Sequence, residues 1–293
     1  MATTTLPAAT TLGAAHLIVT DLDRSVRFYT ETLGFTTREI QGDTAYLAAG
    51  GTGPSGDEAP WLRLTALPGA RPKPRRSTGL YHIAILTPNR HALAHSLRRI
   101  AEARYPMQGA SDHLVSEALY LADPDGNGLE IYRDRPRADW SLVDGKLAMG
   151  SEPLDLERLL AEGMANSIAQ TRLEPATRLG HVHLHVADLD AAVNFYAGVL
   201  GFDIMARMGN SAAFLSAGGY HHHLGLNTWA GVGAPPPPAD AVGLRGFEIV
   251  LPARADLDQV LERAHGAGID IADHQHMAEV RDPSGNAVWL RTV

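Results

Sequence analysis

The chain repeats itself, and that repeat limits the folds open to it. His16-Leu-Ile-Val-Thr-Asp21-Leu22-Asp23, Phe28-Tyr29 and Leu33-Gly34-Phe35 return as His183-Leu-His-Val-Ala-Asp188-Leu189-Asp190, Phe195-Tyr196 and Leu200-Gly201-Phe202, each pair 167 residues apart. Asp123-Pro-Asp-Gly-Asn127 returns as Asp282-Pro-Ser-Gly-Asn286, in both places just before an apolar run rich in strand formers. Self-similarity at a fixed interval marks a duplicated structural unit. Each half divides again, because Gly79-Leu-Tyr-His82-Ile-Ala-Ile-Leu86 and Gly243-Leu-Arg-Gly246-Phe-Glu-Ile-Val250 open further units. Four units result.

Within a unit an alternating strand leads into a helix-sized segment and then three short strands ending at turn residues, so each reads βαβββ. In the first unit Asp21 or Asp23 can cap a helix whose Val26, Tyr29 and Leu33 share a face, stopped by Gly34. The units span about 12–68, 78–133, 179–230 and 243–293. We expect residues 1–133 to form an N-terminal domain of two modules and 179–293 a C-terminal one. Residues 134–178, polar but carrying Leu154, Leu156, Leu159 and Leu160, should be a linker with one short helix. Pro235 to Pro238 lack amide donors and should run as an extended surface loop.

Composition narrows the function classes. With 33 acidic and 25 basic residues the formal charge is -8, and Lys73-Pro-Arg-Arg76 is too short to track phosphates, which argues against nucleic acid. No apolar stretch is long enough to span a membrane, and Met1 to Thr11 has no Lys or Arg, so a cytoplasmic protein is expected. There are no cysteines, so any metal must be held by His, Asp or Glu, and 14 histidines are available.

Four βαβββ units, Leu-Gly-Phe after the first and third helices, and the run from His113 through Tyr120 and Asp123-Pro-Asp-Gly-Asn127 to Glu130 resemble the vicinal oxygen chelate superfamily. That group includes glyoxalase I, extradiol ring-cleaving dioxygenases and fosfomycin and bleomycin resistance proteins. Gly79-Leu-Tyr-His82, Asp134-Arg-Pro-Arg137 and Gly218-Gly-Tyr-His-His-His223 look most like two-domain catechol 2,3-dioxygenases of the CatE type. The resemblance implies an α+β fold in which the four modules pair into two half-open barrels, with homo-oligomers common. Function still has to be argued from the site, because one scaffold hosts several chemistries.

In that superfamily, metal ligands come from the inward faces of a module's first and last strands. Residues two apart share a strand face. If Tyr81, Ile83 and Ile85 pack under the helices, His82 turns inward; if Leu129 and Ile131 do, so does Glu130. In the third module Val182, Leu184 and Val186 pack, leaving His181, His183 and His185 inward. By the same alternation His221, His223 and Asn227 face in. The third ligand is His16 if modules one and two pair, or His183 if two and three pair. The fourth module has Gly246 and Trp289 at the ligand positions and has lost both. Ligand counting favours His82, Glu130 and His183, with His223 as a further candidate and His16 as the alternative third ligand.

Two imidazoles and one carboxylate on one face of an octahedron suit Fe(II) oxygenases, since three adjacent positions stay open for a catechol and O2. The resemblance implies such a dioxygenase, acting on a small aromatic diol, with His113 and Tyr120 as second-sphere acid or base groups. If His223 also ligates, the site resembles a glyoxalase-like isomerase or lyase using Mn(II), Zn(II) or Ni(II). A small-molecule sequestering protein of the same fold is the third possibility. Trp61, Trp140 and Trp229 are candidates to shape the pocket.

Overall fold

The computed structural model describes residues 5–50, 59–143, 146–165, 170–274 and 276–293. Module one comprises β1 (Thr11–Val19), α1 (Leu22–Arg27), which runs on as a π-helical turn over Phe28–Thr32, then β2 (Thr36–Gln41), β3 (Thr44–Ala48) and β4 (Leu62–Ala66). Module two is β5 (Gly79–Thr87), α2 (Arg90–Glu102), β6 (Gly109–Asp112), β7 (Ser116–Ala122) and β8 (Gly128–Asp134). The linker adds β9 (Leu142–Val143), β10 (Lys146–Leu147) and α3 (Leu156–Met164). Module three is β11 (Arg178–His185), α4 (Leu189–Val193) with a π-helical continuation over Asn194–Leu200, β12 (Asp203–Met208), β13 (Ala212–Ser216) and β14 (Leu224–Asn227). Module four is β15 (Gly243–Leu251), α5 (Arg254–Gly266), β16 (Ala272–His274), β17 (Met277–Arg281) and β18 (Ala287–Thr292).

Three of the four module helices start at a side-chain cap; α5, which follows Ala253, has none. The Asp21 carboxylate accepts from the Arg24 amide, Asp188 does the same for Ala191, and the Asn89 side chain for Ala92. The Leu-Gly-Phe repeats end the first and third helices, with Gly34 at φ +88° and Gly201 at +99°, a conformation that costs glycine nothing.

The eight-stranded sheets run β16-β17-β18-β15-β1-β4-β3-β2 and β12-β13-β14-β11-β5-β8-β7-β6. Module four therefore pairs with module one, and module two with module three, each through antiparallel contact of their first strands. The four modules pair into two half-open barrels as expected, and each barrel draws one module from each half of the chain. Among the described residues no helix is long and apolar enough to cross a membrane.

The second repeated motif supplies the other set of joints. The Asp123 carboxylate accepts from the Asp125 and Asn127 amides and the Asn127 side chain, and its Oδ2 also accepts from the Tyr29 hydroxyl of module one at 3.2 Å. Asp282 repeats the pattern with Ser284 and Asn286 and takes the Tyr196 hydroxyl of module three at 3.1 Å. The Phe-Tyr and Asp-Pro repeats are thus two halves of one latch, joining modules one to two and three to four while the sheets join one to four and two to three. Tyr29→Phe and Tyr196→Phe should each cost about 1–2 kcal/mol by urea unfolding, and because the latches are separate the double variant should lose the sum.

The linker helix docks as expected. α3 lies on α2 with Leu159 fully buried, and Gly163 sits where a Cβ would come within 2.4 Å of the Ala94 carbonyl oxygen.

Candidate functional site

The site is written in the register of four strands. Glu130 on β8 stands opposite Tyr120 on β7 and Ala84 on β5, and Ala84 stands opposite His181 on β11. The next rung carries His82 opposite His183, and His183 opposite Gly225. Ala84 is the small residue over which the neighbouring side chains can meet. His82 Nε2 lies 3.0 Å and His181 Nε2 3.2 Å from Glu130 Oε2, and the two Nε2 atoms are 3.3 Å apart. Gly225 leaves room for the His183 ring, which a Cβ there would strike at 2.6 Å.

Two β-bulges frame these rungs. Gly180 and Tyr81 are each skipped in the pairing of β11 with β5. A bulged residue leaves strict alternation, so Tyr81, expected under the helices, instead lines the cavity beside His82 with its ring 5.0 Å from that of His183. The same register separates His183 from His181. His183 shares the inward face, but its Nε2 is buried without a hydrogen-bond partner and its ring stands edge-on to His82 at 4.9 Å. The group whose ligand atoms converge is His82, Glu130 and His181.

His223 does not join this group. The His223 backbone is still tied to β11 and β13, but residues 218–222 form an irregular turn in which Gly218 and Gly219 both have positive φ, so alternation cannot be carried back through it. His223 Nδ1 accepts from the Ala217 amide, away from the cavity, and His222 lines it instead, its ring 4.1 Å from that of His181. His222 was missed for this reason. His221 lies behind it: its Nε2 is 2.8 Å from Asp134 Oδ1 and its Nδ1 2.7 Å from His222 Nδ1. With Asp134 as acceptor, His221 donates from Nε2, and its Nδ1 then accepts the His222 Nδ1–H. That leaves a lone pair on His222 Nε2.

His113 and Tyr120 meet at the cavity wall. His113 Nδ1 is 2.7 Å from the Gly150 carbonyl, to which it can only donate, so its Nε2 accepts the Tyr120 hydroxyl at 2.7 Å. The Gly150 carbonyl belongs to the linker. Leu147, Met149, Gly150 and Ser151 also line the cavity, with β10 against the β12 edge of the sheet and Glu152 bridged to Asp112 at the β6 edge. The linker is therefore a wall of the site. Of the tryptophans, Trp229 lines the cavity, Trp140 packs beside His221, and Trp61 lies in the core of module one.

Electrostatics favour ligand-competent forms. Burial opposes ionisation of Glu130, but the charge of and hydrogen bond from His181, with those of His82, hold its carboxyl well below the usual range. Burial pulls the His181 imidazole down to about 4 against the opposing pull of Glu130, and burial likewise holds His183 and His222 well below their ordinary value. These three imidazoles are neutral at pH 7, with lone pairs to offer.

The other half-barrel shows what removing the site looks like. His16 stands opposite Gly246 as His183 does opposite His82, and Trp289 occupies the Glu130 position opposite Glu248. The Trp289 indole stacks on His274 at 4.9 Å and packs where a Cβ on Gly246 would need to be. His16 Nε2 lies 2.7 Å from the Thr65 hydroxyl, in the sheet that does not contain Glu130. It lies outside the converging group.

Comparison with known proteins agrees with this geometry. The model of the Glyoxalase/Bleomycin resistance protein/Dioxygenase superfamily matches residues 11–131 and 178–290. A catechol-2,3-dioxygenase of Bacillus subtilis (strain 168) is 45% identical over 281 residues, 95% of each chain. Among solved structures, a candidate dioxygenase from Bacillus subtilis superposes with a TM-score of 0.66 at 13% identity, covering 99% of this chain and 86% of its own. Glyoxalase I from Zea mays gives 0.58 at 19% identity, covering 96% and 92%. At such identities these structures show the shared fold.

Proposed function

Because this chain belongs to the Glyoxalase/Bleomycin resistance protein/Dioxygenase superfamily, we propose from its site that it is an extradiol ring-cleaving dioxygenase, acting on a catechol with O2 through non-haem Fe(II). The observation that carries the reading is the convergence of two imidazoles and one carboxylate, His82, His181 and Glu130, at the foot of one cavity. It is supported by the 45% identity to a protein named catechol-2,3-dioxygenase.

The residues fit a metal. Their ligand atoms are spaced 3.0 to 3.3 Å, the separation of adjacent donors around one ion with bonds of about 2.1 Å. The donor set is the two-His, one-carboxylate type used for Fe(II). When bound, ferrous iron supplies Lewis acidity to help a catechol ionise and a redox centre that couples the ring to O2. Both oxygen atoms of O2 end in the ring-opened semialdehyde.

The protein's own share is proton management. His222, neutral and with its Nε2 lone pair left to the cavity, is placed to take a proton from a catechol hydroxyl. Asp134 and His221 fix the tautomer that makes this possible. Tyr120 carries a proton hydrogen-bonded to His113 Nε2, held by burial and by Glu130 well above the usual phenol range. With that proton committed to His113, Tyr120 meets a substrate hydroxyl as a neutral acceptor, not as an anion.

A glyoxalase-like site would gain from a fourth protein ligand, and His223 lies outside the group. A cytoplasmic, homo-oligomeric enzyme working without nucleic acid or membrane completes the proposal, in keeping with a charge of -8. The test is anaerobic reconstitution with Fe(II), then catechol and O2, followed by oxygen uptake and the yellow semialdehyde. Bound iron with neither signal across a catechol panel would rule the proposal out, and activity with Zn(II) in place of iron would turn it toward isomerase chemistry.

A further inference from the structure

The same cavity carries information about which catechols it takes, an inference that rests on the dioxygenase reading. Its volume is about 860 Å³, within the range that encloses a drug-sized ligand and far more than a bare dihydroxybenzene fills. The lining is divided. The metal group, His113, Tyr120 and Ser111 supply polar atoms, whereas the module-three wall and the linker present Met149, Ile204, Met205, Met208, Phe214 and Trp229.

Three of these apolar side chains are left in the open, Ile204 at 48%, Met208 at 58% and Trp229 at 50% exposure. Folding gains nothing from leaving them uncovered, while a ligand group laid over them would recover their hydrophobic free energy. Methionine suits such a wall, because its flexible thioether adapts to apolar shapes. Charge points the same way. Among the described residues lining the cavity, Arg207 is the sole Lys or Arg, and its guanidinium is held by Asp190 at 2.6 Å on the surface. A substrate carboxylate would lose water here and find no unengaged cation among those residues.

We infer that the preferred substrate is an uncharged catechol bearing a ring-sized apolar substituent, seated against β12, β13 and the linker while its hydroxyls face His82, Glu130 and His181. The test compares kcat/KM of the iron-loaded enzyme for catechol, both phenylcatechol regioisomers and 4-carboxycatechol, with calorimetric affinities for the same compounds measured under argon. At least one phenylcatechol should exceed catechol by about tenfold or more in both kcat/KM and affinity. The carboxylated compound should fall about tenfold or more below catechol. Met208→Lys, a change at an exposed position that spares the core, should shrink the phenylcatechol-to-catechol ratio and improve the carboxylated compound. Catechol turned over as well as both phenylcatechols, or the carboxylated compound preferred by the unmodified enzyme, overturns the inference and leaves the dioxygenase reading standing. Failure to open any of the rings with iron bound takes down both.

Discussion

Replacing His181 by alanine is expected to abolish stoichiometric Fe(II) binding and with it ring cleavage, whereas His183→Ala keeps the metal. The two residues are neighbours on one strand face, so the pair separates the register of β11 from the mere presence of histidine there. His181 sits across Ala84 from Glu130, with its Nε2 3.2 Å from the carboxylate and 3.3 Å from His82 Nε2. His183 sits one rung away with its own Nε2 turned to no partner. A bound ion supplies several kcal/mol of charge stabilisation, and at 1.36 kcal/mol per decade its loss amounts to roughly a thousandfold or more in rate. Metal content after reconstitution and gel filtration is the primary readout, with circular dichroism to establish that each variant folds. Retention of iron by the His181 variant and its loss by the His183 variant would reverse the assignment.

The choice between these histidines marks where sequence reasoning stopped. Alternation places His181, His183 and His185 on one face but does not say which rung meets Glu130; the bulges at Gly180 and Tyr81 decide that, and alternation cannot represent a bulge. One signal was available. His82 stands seven residues before the Asn89 helix cap and His181 seven before the Asp188 cap, so counting back from the caps selects His181, while aligning the repeat on His16 selects His183. Glu130 was readable because β8 pairs without interruption, and His82 because it lies on the side of the Tyr81 bulge that stays in register with β8. His222 was not, because it lies on an irregular turn after two glycines with positive φ.

Tertiary pairing was the other gap. Repeats reveal four modules but not which first strands meet, and the pairing of two with three is what brings His181 to Glu130. The same pairing rule applied to modules one and four yields a half-barrel filled by Trp289, so the duplicated fold remains while the chemistry is confined to one side. The linker drew notice for its leucines, Asp134-Arg-Pro-Arg137 and Trp140, not for its backbone. Its Gly150 carbonyl, which sets the His113 tautomer, is backbone, and no side-chain pattern announces it.

The metal-free protein is expected to lose several kcal/mol of stability between pH 7 and pH 5, more than an ordinary domain of this composition, because it buries so many imidazoles in neutral form. Burial holds His181 at about 4, His223 at about 4 and His16 at about 3, and keeps His183 and His222 well below the ordinary 6.5. Between pH 6.5 and 4 the unfolded chain takes up protons that the folded one refuses, so stability rises with pH across that window and is lost as pH falls through it. His181 alone contributes about 2 kcal/mol of that loss by pH 5. The depressed Glu130 carboxyl adds a loss of the same sign below its ordinary value of 4.5. Asp123 and Asp282, raised by burial, work the other way, since protonation relieves them as pH falls; they are two groups against seven histidines, His95 and His185 being lowered as well. Urea unfolding of the metal-free protein at pH 7, 6 and 5 measures the sum. The iron-loaded protein should begin more stable and fall more steeply, because protons and metal compete for the lone pairs of His82 and His181. A stability that stays level from pH 7 to 5 would mean that these histidines are solvated, and that the dry, neutral cluster assigned as the metal site does not exist in solution.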